Sequence, residues 1–150
     1  SGERTPWNAP HVRGAFFGLS SDSQRGHLAR AVLEGVAFSL ADGYRALQQA
    51  GCAPAQMIAT GGGARSHFWL QLIADLTQCR IIVPTYADVG AAFGAARLAR
   101  LALEPGALQH LMAHHIPATA AIIRPQSQPA LQARYLRYQQ YTRWLCQQEV

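Results

Sequence analysis

The longest run of regularly spaced apolar residues in the chain lies between about Arg25 and Ala50. Its apolar residues recur at intervals of four and are flanked by a few more of the same kind: Leu28, Val32, Val36, Leu40 and Tyr44, with Leu33, Ala37 and Leu47. Gly51 stands where a helix commonly ends, and Pro54 follows it. The pattern predicts an amphipathic helix that buries this stripe.

Two shorter segments have the same helical period. After Ser66, a residue suited to cap a helix, the repeating residues are Trp69, Leu72, Ile73 and Leu76. Near the end of the chain they are Leu131, Tyr135, Tyr138, Thr142 and Leu145, which predicts a terminal helix over about 130–148 that contacts the core. A further helix is predicted from Val89 to about Leu103. Its face of small residues is expected to pack on the sheet: Gly90, Ala91, Gly94 and Ala95.

Three short apolar runs predict β-strands: Gly14–Leu19, Met57–Ala59 and Arg80–Val83. Strands that alternate with helices are typical of an α/β fold with a mostly parallel sheet, whose ligand lies near the carboxyl ends of the strands. Residues 107–129 have no steady period and are predicted to form a helix fragment and a loop.

The composition is that of a globular chain with few surface charges. Of the 150 residues, 49% are hydrophobic and 14% are charged. The length indicates one domain, and the small charged fraction suggests that something else covers part of its surface. The net charge of +5 comes from scattered arginines, without any lysine and without a basic run. The charge is therefore only weak support for nucleic-acid binding, because an anionic small molecule would suit it equally well.

The cysteines and the apolar runs together predict a cytoplasmic protein. Cys52, Cys79 and Cys146 form no close pair and are interpreted as buried or half-buried thiols in a reducing compartment. No signal peptide opens the sequence, and no apolar run reaches membrane-spanning length. The pair His114-His115 has no nearby cysteine or carboxylate and is predicted to lie in a surface loop rather than in a metal site.

The glycine corner, Thr60–Ser66, connects a predicted strand to a predicted helix. Bare backbone N–H groups and the positive end of a helix would meet there, which suits a phosphate. The alternative is that the glycines only allow the turn, because the run is neither a dinucleotide nor a Walker fingerprint. Glu34, among apolar residues, is expected to pair with Arg30 one turn earlier.

Three blocks of sequence carry a resemblance to a known family. The first joins a Gly-x-aromatic-x-Gly-aliphatic motif to a second motif that ends in an acidic residue: Gly14, Phe16, Gly18, Leu19, His27, Leu28, Ala31, Val32, Leu33 and Glu34. The second runs from Gly61 to Ser66 and on through Trp69, Gln71 and Ala74-Asp75, and the third is Asp88–Ala99. On these blocks the chain, over about Ser1–Ala102, resembles the C-terminal domain of the FGGY family of carbohydrate kinases.

The resemblance implies an actin-like, ribonuclease H-like ATPase fold, with the first strands of the domain upstream of Ser1. Residues 1–150 would then be a partial C-terminal, nucleotide-binding domain. ATP would contact Gly62, Gly63, Ala64 and Ser66, and Mg²⁺ would be held mainly through the phosphates. The catalytic aspartate is expected upstream, so no catalytic residue and no metal ligand is assigned within this chain.

Within the family, Ser1–Pro6 and Asp88-Val89-Gly90 are most similar to xylulokinases, which implies phosphorylation of D-xylulose to D-xylulose 5-phosphate. The alternatives are another FGGY kinase, acting on a different ketose, gluconate or a polyol, and a non-catalytic nucleotide-binding or oligomerisation module. The expected partners are an N-terminal kinase domain and a sugar, with a homodimer as a further arrangement. No membrane and no nucleic acid is expected as a partner.

Overall fold

The computed structural model describes residues 2–85, 87–104, 106, 108 and 118–148. Its elements, in chain order, are helix α1 (Arg25–Gln49), strand β1 (Gln56–Ile58), a first 3-10 turn (Gly62–Arg65), helix α2 (His67–Thr77), strand β2 (Arg80–Pro84), a second 3-10 turn (Ala87–Val89), helix α3 (Gly90–Leu103), strand β3 (Thr119–Ile123) and helix α4 (Pro129–Cys146). The predicted α/β class is confirmed.

The sheet has β2 at its centre and is mixed rather than mostly parallel. Strand β1 runs parallel to β2, with Met57 opposite Ile81, and β3 runs antiparallel to β2, with Ile122 opposite Ile82. The prediction of a helix fragment and a loop is therefore wrong over Thr119–Ile123. The predicted surface loop at His114-His115 lies outside the described residues.

The predicted strand Gly14–Leu19 is not formed. Its residues are exposed and belong to no strand that the structure describes. A strand is stable only through hydrogen bonds to a neighbour, and an apolar run between glycines does not supply one. The ring of Phe17 instead stacks on Tyr141 of α4, with the ring centroids 4.2 Å apart.

Helix α1 has the predicted bounds but buries a different face. Gly51 follows its end with a φ of +84°, as expected for the residue after a helix. The buried apolar residues are Ala37, Phe38, Ala41 and Tyr44, whereas Val32, Val36 and Leu40 are 53%, 46% and 48% exposed. The prediction that α1 buries the apolar residues spaced four apart is therefore wrong at most of these positions.

The core has two parts, and α2 contributes to both. The first lies between α1, α2 and α4 and contains Ala37, Phe38, Ala41, Leu72, Leu76, Leu131 and Tyr135. The second lies between α2 and the sheet and contains Leu70, Ala74, Ile81 and Ile123. The expected core contact of the terminal helix is seen, since Leu131 and Tyr135 have no exposed surface.

Two further predictions about burial are wrong. None of the residues of α3 is buried, and Ala91 and Ala95 of its small face are exposed, so this helix does not pack on the sheet as predicted. Cys79 is buried and Cys146 is half-buried, but Cys52 is exposed.

Among the described helices, none combines the length and the apolar character that crossing a bilayer requires.

Candidate functional site

The glycine corner follows the end of β1 and is shaped first by Gly61. This residue has φ +87° and ψ −177°, a region of backbone conformation that is essentially restricted to glycine. Its N–H donates to the carbonyl oxygen of Ala87 at 2.7 Å, which ties the corner to the second 3-10 turn. The sharp turn out of the strand therefore requires glycine at position 61.

The first 3-10 turn uses some of its backbone N–H groups internally and leaves others at its open end. The Ala64 N–H donates to the Gly61 carbonyl and the Ser66 N–H to the Gly63 carbonyl, both at 3.1 Å. Gly62 and Gly63 begin the turn, so their N–H groups have no acceptor within it. Of the predicted binding residues, Gly62 and Gly63 thus present N–H groups that the turn does not use, whereas the Ala64 N–H is engaged.

Gly62 is exposed at the start of the first 3-10 turn. A Cβ atom added to it would have no other atom within 4 Å, and its φ is outside the left-handed range. Neither packing nor backbone geometry in this structure therefore explains why position 62 is glycine. A ligand that approaches the backbone closely would explain it.

Ser66 caps helix α2, as predicted. Its Oγ accepts the N–H of Trp69 at 3.3 Å, and its carbonyl oxygen accepts the N–H of Leu70 at 3.0 Å. Because Oγ acts as an acceptor in the cap, the proton of the hydroxyl remains available for donation to another group. The positive end of α2 lies at this residue.

Gly63 lies against the indole of Trp69. A Cβ atom added to Gly63 would be 2.4 Å from Cζ3 and 3.0 Å from Cε3 of that ring. The indole Nε1–H donates to the carbonyl oxygen of Leu33 in α1 at 3.1 Å. Trp69 therefore connects the glycine corner to α1, a contact that its place in the helical period of α2 does not reveal.

The second 3-10 turn faces the first across an ion pair. Arg65 Nη2 lies 2.5 Å from Asp88 Oδ2, and the two side chains are 75% and 38% exposed. The hydrogen bond from Arg65 lowers the pKa of the Asp88 carboxyl. At the start of α3, a Cβ atom added to Gly90 would come 3.1 Å from Cβ of Thr60, so the helix begins close against the corner. The pairing of Arg65 with Asp88 could not be predicted from sequence spacing, since 23 positions separate the two residues.

Glu34 is a second charged centre, next to the Leu33 carbonyl that Trp69 contacts. The predicted pair with Arg30 is confirmed at 2.7 Å, and Arg134 of α4 adds a second partner at 2.8 Å. Burial, the largest single influence, raises the pKa of Glu34, but the hydrogen bonds and charges of Arg134 and Arg30 together hold it below its usual value. This carboxylate is therefore ionised and joins α1 to α4.

The other buried carboxylates are also occupied as hydrogen-bond acceptors. Asp42 accepts from Tyr135 and, at 2.9 Å, from Gln139, and Asp75 accepts from the N–H of Gln126 at 2.7 Å. Within the part of the chain that the structure describes, no group of three or more histidine, cysteine or acidic side chains is placed to hold a metal ion. What the corner offers to a ligand is backbone N–H groups, a helix end and Arg65.

The chain is similar to known proteins over most of its length. Residues 1–103 match the FGGY family of carbohydrate kinases, C-terminal domain. A xylulose kinase of Escherichia coli (strain K12) is 49% identical over 105 residues, or 70% of this chain. A gluconokinase of Bacillus subtilis (strain 168) is 44% identical over 86 residues, or 56% of this chain. The crystal structure of a xyloylose kinase from Brucella ovis superposes with a TM-score of 0.76 at 41% identity, over 90% of this chain.

These matches involve only one part of each relative. The chain spans 22% of the length of the Escherichia coli protein, 17% of the Bacillus subtilis protein and 28% of the Brucella ovis chain. The part that matches contains α1, the glycine corner, α2 and α3.

Proposed function

Because this chain belongs to the FGGY family of carbohydrate kinases and has their actin-like ATPase fold, we propose that it is the ATP-binding C-terminal portion of a sugar kinase. The sugar we propose is D-xylulose, and the product D-xylulose 5-phosphate, since the xylulose kinase of Escherichia coli is 49% identical to the chain. The rest of the active site would come from an N-terminal kinase domain.

The observation that carries this proposal is the exposed start of the first 3-10 turn, where the N–H groups of Gly62 and Gly63 have no acceptor within the turn. Position 62 is glycine although a side chain would meet no atom within 4 Å. A phosphate that approaches the N–H groups of Gly62 and Gly63 would occupy that space, at the positive end of the turn and of α2. Arg65 is 75% exposed beside the corner and could donate to a phosphate as well, although Asp88 balances its charge.

Each predicted binding residue then has a definite part. Gly62 and Gly63 would donate N–H groups to the phosphates, while Ala64, whose N–H is engaged in the turn, would contribute its position and its small methyl group. The Ser66 hydroxyl, which retains its own proton, would donate to the nucleoside part of ATP. Mg²⁺ would be held mainly through the phosphates and would neutralise part of their charge.

The reaction of the whole enzyme would be transfer of the γ-phosphoryl group of ATP to a hydroxyl of the sugar. An aspartate outside this chain would take the hydroxyl proton, and ADP would leave with the electrons of the broken phosphoanhydride bond. Such catalysis depends mainly on positioning and charge stabilisation. The contribution of this chain is to hold the nucleotide in place, so we propose that the chain is inactive by itself.

Another sugar specificity is the second candidate, and the 44% identical gluconokinase of Bacillus subtilis is the observation that favours it. The same ATP corner would then serve a kinase for gluconate, another ketose or a polyol. The alternative without catalytic activity is a nucleotide-binding or oligomerisation module, which would act as a homodimer. We place the protein in the cytoplasm and in xylose metabolism under the first candidate.

The test is a thermal-shift titration of the full-length gene product with Mg-ATP, for the wild type, Gly62→Val and Gly26→Val. Gly26 lies in the first turn of α1 and also has open space around it, so it is the matched control. A ligand that binds the native state raises the melting temperature in proportion to the logarithm of its excess over Kd. We expect a shift in the wild type and in Gly26→Val, and its loss in Gly62→Val without a change in the ligand-free melting temperature.

A wild type that does not respond to Mg-ATP, or a Gly62→Val protein that responds fully, would overturn the proposal. The sugar is tested separately, by measuring ADP release with D-xylulose, D-gluconate and glycerol. Release only with D-xylulose supports the first candidate, and release only with gluconate or glycerol replaces it by the second. ATP binding without ADP release for any sugar would favour the non-catalytic module.

A further inference from the structure

The adjacent glycines Gly62 and Gly63 stand in opposite surroundings. A Cβ atom at position 62 would enter open space, whereas one at position 63 would be 2.4 Å from Cζ3 of Trp69. Real Cβ atoms essentially never lie closer than 3.0 Å to a non-bonded atom, so one of the two groups would have to move. A glycine that only leaves room for a phosphate would not be in contact with the protein in this way.

The Trp69 side chain is held on both sides and cannot simply turn away. Its Nε1–H donates to the Leu33 carbonyl at 3.1 Å, and the ring packs against the cluster formed by α1, α2 and α4. Moving the ring away from Gly63 would break this hydrogen bond and open a gap in a packed core, both of which cost stability.

We infer that Trp69 is a positioning residue for the glycine corner, and that its indole, rather than a bound phosphate, is the reason for glycine at position 63. The ring lies between the first 3-10 turn and α1. It contacts the turn at Gly63 and α1 at the Leu33 carbonyl, and so sets the distance between them. Gly62 is then the glycine that a ligand requires. The part of this inference that concerns ATP rests on the proposed function, while the part that concerns packing does not.

The packing part is tested by the melting temperatures of four full-length proteins: wild type, Gly63→Ala, Trp69→Leu and the double variant. Leucine lacks both ring atoms that a Cβ at position 63 would meet. We expect Gly63→Ala to lower the melting temperature by roughly 2–10 °C in the wild type, as overpacking does, and to have almost no effect in the Trp69→Leu background. Gly62→Ala, the matched control, should be neutral in both backgrounds.

The positioning part is tested by the affinity for Mg-ATP and by the kinetics with saturating sugar. Trp69→Leu should raise the KM for ATP by about tenfold or more, because the turn loses its support, and should change kcat much less. Trp69→Phe, which keeps a ring but not the N–H group, should recover most of the ATP affinity. A role in stability alone would leave the KM unchanged in the folded protein.

The outcomes separate the inference from the proposed function. An equal cost of Gly63→Ala in the two backgrounds, or no cost in the wild type, would overturn the inference even if ATP binds. The same holds if Trp69→Leu leaves the KM for ATP unchanged. If Trp69→Leu removes the effect of Gly63→Ala on the melting temperature but the wild type does not bind ATP, the packing role would be supported and the proposed function rejected.

Discussion

Arg134 of α4 holds Glu34 of α1 with two hydrogen bonds, although 100 residues separate them in the chain. The Arg134 Nε donates to Oε2 at 2.8 Å and Nη2 donates to Oε1 at 2.9 Å, a two-pronged geometry that fixes both groups. The Glu34 side chain is 7% exposed and Arg134 is 38% exposed. The pair is therefore one polar connection between α4 and α1, beside the hydrogen bonds that Tyr135 and Gln139 donate to Asp42.

We expect loss of this pair to destabilise the protein more than loss of the neighbouring Arg30 pair. Arg134→Gln should lower the free energy of unfolding by about 1–3 kcal/mol, because it leaves the buried Glu34 with one partner while solvent screens part of the effect. Arg30→Gln, which removes a pair within one helix, should cost about 0.5 kcal/mol. Urea unfolding of the two variants decides this, and equal costs would contradict the larger contribution expected of the Arg134 pair.

The stability should fall in acid because of Glu34. Its pKa in the folded protein lies below the unfolded value of about 4.3, so the stabilisation is present above that pH and is lost as the pH falls through the folded pKa. Glu34→Gln should be less stable at pH 7 and should show a shallower loss of stability below about pH 4. If the free energies of unfolding of the wild type and Glu34→Gln fell in parallel from pH 7 to pH 3, Glu34 would not be the cause of the loss of stability in acid.

Asp75 should be among the residues most sensitive to truncation. It is 1% exposed and accepts hydrogen bonds at 2.7 Å from the Gln126 N–H and the Gln128 side chain, which fasten the β3–α4 connection to α2. It also accepts one at 2.7 Å from the side chain of Gln71 in α2 itself. We expect Asp75→Ala to cost about 3 kcal/mol, since three donors lose a charged acceptor. The exposed Asp22 is the control, and Asp22→Ala should cost little. Chemical denaturation measures both.

Gly61 and Gly62 should respond differently to alanine in the absence of any ligand. Gly61→Ala forces a side chain into a conformation at φ +87° and should cost about 1–3 kcal/mol. Gly62→Ala meets no such restriction and should be close to neutral. The melting temperatures of the two ligand-free variants provide the measurement. A larger loss for Gly62→Ala would mean that the corner is shaped differently.

The elements whose limits are set locally could be predicted from the sequence. Helix α1, strand β2 and the cap of α2 at Ser66 depend on propensity, spacing and capping residues within a few positions of each other. The Arg30–Glu34 pair was predicted for the same reason, since it spans one helical turn. In the glycine corner, the position of the turn could be predicted in this way, but the separate reasons for each glycine could not.

What depended on distant parts of the chain was predicted poorly. Helix α1 has apolar residues on two faces, and periodicity cannot tell which of them α2 and α4 will cover. The spacing therefore predicts Val32 and Val36 in the core, whereas the structure leaves both exposed. Strand β3 exists because β2 offers a free edge, and its sequence, Thr-Ala-Ala-Ile-Ile, is a weak signal by itself. The Trp69–Leu33 and Arg65–Asp88 contacts likewise join segments that sequence spacing does not relate.

The last helix closes the core, and this sets an order of events when the ribosome makes the protein. Leu131 and Tyr135, which have no exposed surface, complete the cluster that α1 and α2 begin. Until these two residues have been synthesised, Phe38 and Leu72 lack one wall of their surroundings and remain open to water or to other chains. A nascent polypeptide that pauses before residue 131 should therefore bind chaperones that recognise exposed apolar side chains, and should be released once α4 has docked.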